Sequence, residues 1–275
     1  MEIIKSTGEK EVFNKNKLCN SIKKTGAPKK IVETVCLLVE KKIVPGMTTN
    51  QIFRTALSYL IKEDIGSAAV YKLKRGVAEL GPAGFIFEQY LETFLQAYGY
   101  QTKRDVIVKG QCISHEIDIL ARKQNNHYLV EAKYHNNPGI KTHVDVIMYS
   151  SARLIDITEW QEKREKQKNN HLAWIITNTK FTSSAIKYGK CKGIKLTGWS
   201  YPENESLEIL LLRKKLFPIT VLPSITRFAR EQFASKKMIL AQDLLPYSVE
   251  DLSKEFELSL TTAQKILKEV NELMI

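Results

Sequence analysis

The sequence has few cysteines, and their spacing matches no zinc site. No two of them form a CxxC pair, the five histidines are scattered, and no HExxH motif occurs. Such wide spacing favours reduced thiols in the core over a disulfide framework, and zinc-dependent hydrolysis is not expected. The four cysteines are Cys19, Cys36, Cys112 and Cys191.

Long apolar runs are also missing. No stretch approaches the ~18 consecutive apolar residues of a membrane-spanning helix, and residues 1–10 lack the apolar region of a secretory signal. We therefore expect a cytoplasmic protein. The GxxxxGK[ST] pattern is absent as well, which excludes a P-loop nucleotide site.

Acidic residues are outnumbered by basic ones. The chain of 275 residues has 42 lysines and arginines against 30 aspartates and glutamates, which gives a net charge of +12. This excess favours a polyanionic partner such as nucleic acid, although basic proteins without such a role are common. Apolar residues make up 43% and charged residues 26%, which is typical of a folded chain with two or three domains.

Three segments with different patterns follow one another along the chain. Residues 1–80 predict a short β-hairpin followed by four helices. Residues 81–205, which begin with the breaker cluster Gly81-Pro82-Ala83-Gly84, alternate helical and strand-like patterns. Residues 206–275 predict helices. The fold class is therefore α/β (α+β overall): a small helical domain with an N-terminal hairpin, a central mixed sheet flanked by helices, and a helical C-terminal segment.

Two helical patterns at the C-terminal end, 249–256 and 259–274, are separated by a short break. This spacing resembles a helix-turn-helix, which would read DNA. The alternative is a packing or dimerisation segment, and the nearly balanced charge of this region favours that alternative.

The pattern that indicates most about the chemistry of this protein consists of Asp118, Glu131 and Lys133. Glu131 and Lys133 are two residues apart on a strand-like run, so their side chains face the same side of a sheet. If the runs 113–120 and 128–132 pair through a turn at 124–126, Asp118 reaches that side too. Apolar neighbours such as Ile117 and Val130 indicate that these charges are not plain surface residues.

Two carboxylates and an ammonium suit metal-dependent hydrolysis of a phosphodiester. Carboxylate oxygens bind Mg²⁺ or Mn²⁺, and the metal neutralises the phosphate and acidifies a water. Lys133 would then assist the attacking water or stabilise charge on phosphorus. The alternative is an exposed ion-pair cluster on an amphipathic hairpin. His115 and His135 flank this hairpin, and they would act either in proton transfer or as hydrogen-bonding support.

The order of motifs in residues 81–200 resembles the Mrr-type branch of the PD-(D/E)xK restriction endonucleases. The resemblance rests on Gly84-Phe85-Ile86-Phe87-Glu88, Gly99-Tyr100, Asp118, Glu131-Ala132-Lys133 and the run 177–185. It implies a restriction-endonuclease-like mixed sheet and Mg²⁺-dependent cleavage of DNA.

The same resemblance assigns roles to individual residues. It implies that Glu88 joins the catalytic cluster with Asp118, Glu131 and Lys133, and that the Ala132 carbonyl is a further metal ligand beside Asp118 and Glu131. Many relatives have a glutamine on the helix after the ExK strand. None occurs between Lys133 and Trp160, and Tyr149 or Arg153 would lie there instead.

Residues 1–80 resemble the ATP-cone, a small regulatory domain of ribonucleotide reductases and their repressors. The resemblance rests on Lys5, Gly8, Phe13, Lys17-Leu18, Ser21-Ile22 and Ala68-Ala69-Val70-Tyr71. It implies that ATP or dATP binds as a regulatory ligand, with contacts from Lys5, Phe13, Lys17 and Ile22. The family usually has Lys-Arg where this chain has Lys5-Ser6, and the missing guanidinium removes a bidentate phosphate partner. The alternative is a basic, solvated hairpin.

The leading interpretation is a Mg²⁺-dependent DNA endonuclease that is regulated by ATP or dATP. The domains would be 1–80 (ATP-cone), 81–205 (nuclease) and 206–275 (helical segment). A homodimer or higher oligomer is expected, because a double-strand cut requires two active sites. The alternative is a nucleotide-responsive DNA-binding regulator with an inactive nuclease fold, and an RNA nuclease or a structure-specific repair enzyme is a third possibility.

Overall fold

The chain folds into two compact units. The computed structural model describes residues 1–5, 7–80, 84–137, 139–164 and 170–274. The first unit comprises Met1–Gly76 and Phe217–Ile275, and the second comprises Val77–Leu216. The domain division predicted from the sequence was different, because it consisted of three consecutive segments. Ser6 and the breakers Gly81-Pro82-Ala83 lie outside the described residues.

The N-terminal part of the first unit is a β-hairpin followed by four helices. Strands β1 and β2 pair antiparallel, and the helices pack around a buried apolar core. The capping box at Thr48 and Gln51 fixes the start of the third helix. The elements are β1 (Glu2–Ile4), β2 (Lys10–Val12), α1 (Lys15–Lys23), α2 (Lys29–Glu40), α3 (Thr49–Glu63) and α4 (Ile65–Ala78).

A disulfide between Cys19 and Cys36 joins α1 to α2. The expectation of reduced thiols was therefore wrong for this pair. Antiparallel packing of the two helices brings the Cα atoms to 5.7 Å, within the usual range for a disulfide, although 17 residues separate them in the sequence. The other two cysteines, Cys112 and Cys191, are exposed rather than buried.

The second unit is built on a five-stranded mixed sheet. The strands lie in the order β3-β4-β5-β7-β9: β3, β4 and β5 are antiparallel neighbours, and β7 and β9 add on in parallel. Two short strands, β6 and β8, form a separate parallel pair. The strands are β3 (Gln101–Lys109), β4 (Ser114–Lys123), β5 (Asn126–Lys133), β6 (Lys141–Thr142), β7 (Asn170–Thr177), β8 (Lys180–Phe181) and β9 (Lys195–Thr197).

Helices cover the sheet. Two buried clusters pack helices against it: Ile147 and Ala185 lie against β7 and β9, and Ile157 lies against β4 and β5. The mixed sheet flanked by helices, predicted from the sequence, is confirmed. The helices are α5 (Gly84–Ala97), α6 (Val144–Arg164), α7 (Ser183–Cys191) and α8 (Leu207–Arg213).

The chain after residue 216 is helical, as expected, and it returns to the first unit. Two 3-10 turns alternate with short helices, and Pro218 pairs with Leu240 in a single antiparallel bridge. The helices are α9 (Arg227–Ser235), α10 (Val249–Glu255) and α11 (Leu260–Met274). Within the described part of the chain, we find no helix with the length and apolar character needed to cross a bilayer.

Candidate active site

The β4–β5 hairpin brings the two central carboxylates together. Lys123 pairs with Asn126, so a two-residue turn at Gln124-Asn125 connects the strands. Gln124 has a positive φ of 54°, as such tight turns require. The ladder continues to the pair of Ile119 with Val130. Asp118 and Glu131 occupy the next position in register, beyond the last backbone pair.

Beyond the last backbone pair of this ladder, the side chain of Asp118 makes the next hydrogen bond between the two strands. Its Oδ2 accepts a hydrogen bond of 2.7 Å from the backbone N–H of Ala132. Burial and, after it, the nearby negative charge of Glu131 raise the pKa of Asp118 to about 7, although the hydrogen bond from Ala132 opposes the shift. Asp118 is thus a carboxylate that holds a proton until near neutral pH unless a positive charge approaches it.

Glu131 is held by an arginine from helix α6. Nη1 of Arg153 donates to Oε2 of Glu131 at 2.9 Å, and both side chains are largely buried. The guanidinium also lies over the ring of Tyr149, 4.7 Å from its centroid. The sequence suggested Tyr149 or Arg153 in place of the family glutamine on this helix, but it gave no indication that Arg153 pairs with Glu131.

Ala132 and Lys133 continue strand β5 beside β7. In the parallel ladder Glu131 pairs with Ile175 and Lys133 pairs with Thr177, so Glu131 and Lys133 share one face of the sheet. Ala132, between them, points its methyl group to the opposite face. The spacing expected from the ExK pattern is therefore present in the structure.

Glu88 lies on α5 and is electrostatically close to this cluster. Burial raises its pKa, the charges of Asp105 and Glu131 add to the effect, and Arg104 counteracts it. Asp105 was not identified as a candidate from the sequence. It has a positive φ of 53°, and by register it lies opposite Asp118 on β3.

The donor set fits a hard divalent cation. Oδ1 of Asp118 and Oε1 of Glu131 accept no hydrogen bond from the residues that the structure describes, and the Ala132 carbonyl follows directly on the strand. A cation there would relieve the repulsion that raises the pKa of Asp118. In the same described ranges, no three acidic, histidine or cysteine side chains enclose a metal position by themselves, so water or phosphate oxygens would complete the coordination.

The two flanking histidines support the scaffold. Nε2 of His115 hydrogen-bonds to Oδ2 of Asp156 at 2.8 Å, and this contact is the main cause of the lowered pKa of Asp156, which is about 2. Nε2 of His135 lies 3.1 Å from Oγ1 of Thr142. These contacts favour the hydrogen-bonding role over proton transfer for both histidines.

In the first unit, Lys5 and Lys17 converge on one carboxylate. Nζ of Lys5 lies 3.5 Å from Oε2 of Glu11, and Nζ of Lys17 donates to Oε1 of the same residue. The hydrogen bond from Lys17 is the main cause of the lowered pKa of Glu11. The hairpin and the first helix therefore bring both predicted lysines to one anionic group.

A cavity of about 220 Å³ adjoins this ion-pair cluster. Phe13 and Lys17 line it, together with Phe53 and Tyr71, whose rings are stacked 4.8 Å apart. Ile22, the fourth candidate contact, is fully buried in the apolar core and is not among the residues that line the cavity.

Two family models match the chain. The restriction endonuclease model (Mrr catalytic domain) matches residues 82–198, and the model described as AF1548-like, C-terminal, matches residues 217–274. The first range includes all the residues of the carboxylate cluster. Residues 1–80 lie outside both ranges.

Known proteins are similar over a large part of the chain. An uncharacterised protein of Archaeoglobus fulgidus is 38% identical over 180 residues, which are 66% of this chain and 97% of that protein. The crystal structure of AF1548, a protein of unknown function, has a TM-score of 0.56 and 34% identity, over 70% of this chain and 98% of that chain. The chain therefore belongs to the AF1548-like family, and residues 82–198 form its restriction endonuclease-like domain.

Proposed function

We propose that the protein is a Mg²⁺-dependent DNA endonuclease. The observation that carries the proposal is the pair of carboxylates of Asp118 and Glu131. Each has one anchored oxygen and one oxygen that accepts no hydrogen bond from the residues described, and Lys133 lies on the same strand face as Glu131. The restriction endonuclease-like domain and the net charge of +12 are consistent with DNA as the substrate.

Each residue of the cluster has a role in this reaction. Asp118, Glu131 and the Ala132 carbonyl would hold the ion, with Glu88 contributing directly or through water. When bound, Mg²⁺ or Mn²⁺ supplies positive charge against the phosphate and acidifies the attacking water. Lys133 would orient that water and stabilise charge that develops on the phosphate oxygens.

The test is cleavage of supercoiled plasmid in Mg²⁺ or Mn²⁺. We expect metal-dependent nicking or linearisation that is lost in Glu131→Ala and in Lys133→Ala. Glu159→Ala removes an exposed carboxylate from the same unit and should cleave like the unchanged protein. Undiminished cleavage by Lys133→Ala would sink the assignment.

A DNA-binding regulator with an inactive nuclease fold is the second candidate. The Arg153–Glu131 ion pair favours it, because a cation already neutralises one proposed metal ligand. The C-terminal helices α10 and α11, which have the order of a helix-turn-helix, also fit this role. It predicts metal-independent binding of DNA without cleavage of plasmid, RNA or damaged DNA under any condition.

We further propose that ATP or dATP binds the first unit and regulates the nuclease. Lys5 and Lys17 both contact Glu11, which occupies the place that a phosphate would take beside the Phe13 cavity. Calorimetric titration with each nucleotide should show binding that Lys17→Ala abolishes. Lys10→Ala, which removes only an exposed pair with Glu2, is the control, and equal binding by both variants would contradict the site.

The active assembly is proposed to be a homodimer or a higher homo-oligomer, because cutting both strands requires two active sites. Light scattering with and without ATP or dATP measures the mass directly. A doubled mass would support the proposal, whereas a monomeric mass in every condition, together with linearised plasmid, would contradict it.

A further inference from the structure

A second cavity, of about 500 Å³, lies in the second unit away from the carboxylate cluster. Trp174 on β7 and Lys195 on β9 line it, and they are partners in the parallel ladder. Trp174 also pairs with Val130, and Glu131 is the next residue along that strand. Because side chains alternate along a strand, the cavity and Glu131 are on opposite faces of the sheet.

Aromatic rings form the floor of this cavity. Trp174, Tyr98, Tyr100 and Tyr201 line it. The Lys195 ammonium lies 3.6 Å from the centroid of the Trp174 ring and 5.9 Å from that of Tyr100. Such a cation–π contact holds the ammonium at the cavity and leaves its hydrogen-bond donors available.

The charges at the cavity are unbalanced. Lys123, Lys195 and Arg213 line it against the single carboxylate of Glu205. In the part of the chain that the structure describes, none of these four forms an ion pair. Lys123 donates one hydrogen bond, of 2.7 Å, to the backbone carbonyl of Tyr98. Burial lowers the pKa of Lys195; the negative charge of Glu205 opposes this shift, and the positive charge of Lys123 adds to it.

We propose that this cavity binds one nucleotide, with its base against the aromatic floor and its phosphate between Lys123, Lys195 and Arg213. A nucleotide is the common ligand that combines a flat ring, an anion and, on the base, an amino donor for Glu205. The volume is in the range of small-molecule sites. The nucleotide is either free or an unstacked residue of a single strand, and both present the same groups.

This inference does not rest on the proposed nuclease activity, and its test is made without metal. All three tryptophans, Trp160, Trp174 and Trp199, lie in the second unit. Tryptophan fluorescence of the full chain in EDTA therefore reports binding in this unit and not in the Phe13 cavity of the first. The probes are dAMP, deoxyadenosine, inorganic phosphate and a short single-stranded oligodeoxyadenylate.

We expect saturable quenching by dAMP or by the oligonucleotide, with weaker effects of deoxyadenosine and phosphate alone. Lys195→Gln should weaken binding about tenfold, the loss of roughly one charge-assisted hydrogen bond. Lys192→Gln removes an exposed lysine three positions away and should change the affinity by less than about twofold. If Lys195→Gln does not fold, Arg213→Gln on α8 provides an independent test, because it should also reduce the affinity for dAMP.

The two sources of ligand are separated by the probes. Saturation by dAMP with no gain from the oligonucleotide identifies a free nucleotide site, and tighter binding of the oligonucleotide identifies a strand contact. Three outcomes overturn the proposal: no saturable quenching by any probe, phosphate alone binding as tightly as dAMP, or equal affinities of Lys195→Gln, Arg213→Gln and Lys192→Gln.

Discussion

Two carboxylates of the second unit each have one oxygen anchored. Oδ2 of Asp118 accepts the N–H of Ala132, and Oε2 of Glu131 accepts Nη1 of Arg153. The anchors differ in kind: the first is a neutral backbone dipole and the second is a full positive charge. The protonation of Asp118 should therefore respond in opposite directions to the loss of Glu131 and to the loss of Arg153.

We expect Glu131→Gln to lower the pKa of Asp118 from its value of about 7, because a neighbouring negative charge is removed. Arg153→Gln should raise the pKa, because a stabilising cation is removed. A change of about 1 in each direction is expected for charges at this separation, and carbon-13 NMR titration of the carboxyl groups measures it. Arg164→Gln, at the end of the same helix, should have no effect. Shifts in the same direction would contradict this electrostatic account.

The raised pKa of Asp118 also makes a prediction about stability. The folded chain keeps this proton up to pH about 7, whereas an unfolded aspartate releases it near its ordinary value of 3.8. The folded state therefore binds more protons between these values, and stability falls as the pH rises through this window. Asp118→Asn should raise the free energy of unfolding of the second unit by ~1–2 kcal/mol at pH 8 and by little at pH 4.

Denaturant unfolding at the two pH values measures this difference. Asp145→Asn, at the exposed start of α6, serves as the control because it lacks the buried environment. A stabilisation by Asp118→Asn that is the same at both pH values would show that the effect is not linked to the proton.

Individual residues also show which contacts could be predicted from the sequence and which could not. Strand alternation and a plausible turn were sufficient to place Asp118 beside Glu131, because both follow from local geometry. The pairing of Arg153 with Glu131 depends on how α6 rotates against the sheet, which no local pattern specifies. The ATP-cone resemblance named Ile22 as a contact, but helical periodicity alone would have assigned it to the core, where the structure places it.

At the scale of elements, one asparagine connects the ends of two neighbouring strands. Asn178 follows β7 and is 1% exposed. Its Oδ1 accepts the N–H of His135, and its Nδ2 donates to the carbonyl of the same residue, at 2.9 and 2.7 Å. This clamp fixes the chain two residues after Lys133, at the end of β5.

Asn178→Ala should destabilise the second unit by ~1–3 kcal/mol, because it leaves two partly buried backbone groups of His135 without these partners. Asn136→Ala, which replaces an exposed neighbour, should change stability by less than ~0.5 kcal/mol. Thermal unfolding followed by tryptophan fluorescence compares them. Equal effects of the two substitutions would mean that the clamp is not a stabilising contact.

Most elements were predictable because their patterns are local. The hairpin strands and the amphipathic helices have clear periods of two and 3.6 residues. Helix α6 continues to Arg164, into a very polar stretch, because charged residues on a solvent-facing turn preserve helical propensity. The two-residue strands β6 and β8 are too short to have any pattern and were missed.

At the scale of the whole molecule, the two ends of the chain fold into one unit. Nζ of Lys72 on α4 donates to the carbonyl of Thr220 at 2.5 Å, and Oγ1 of Thr220 donates to the carbonyl of Gly76 at 2.7 Å. These contacts join residues about 150 positions apart. Sequence periodicity has no information about such contacts, so the C-terminal helices were treated as a separate segment.

Gly76 gives a direct test of this long-range packing. A Cβ at this position would lie 2.7 Å from Cγ1 of Val221 and 3.2 Å from Oγ1 of Thr220. Gly76→Ala should therefore destabilise the first unit by ~1–3 kcal/mol through overpacking, although alanine is the better helix former. Differential scanning calorimetry should show a lower melting temperature for the first unit and an unchanged one for the second.

Gly66→Ala is the matched control, because Gly66 lies in the same helix but a Cβ there would meet only Oδ1 of Asp64, at 3.3 Å. It should be neutral or stabilising by up to ~1 kcal/mol, since glycine is a poor helix former. The two substitutions are chemically identical, so helix propensity alone would shift the melting temperature in the same direction for both. If the two substitutions shift the melting temperature in opposite directions, residues after Phe217 must pack on α4 in solution. Shifts in the same direction would contradict the joining of the two ends of the chain in one unit.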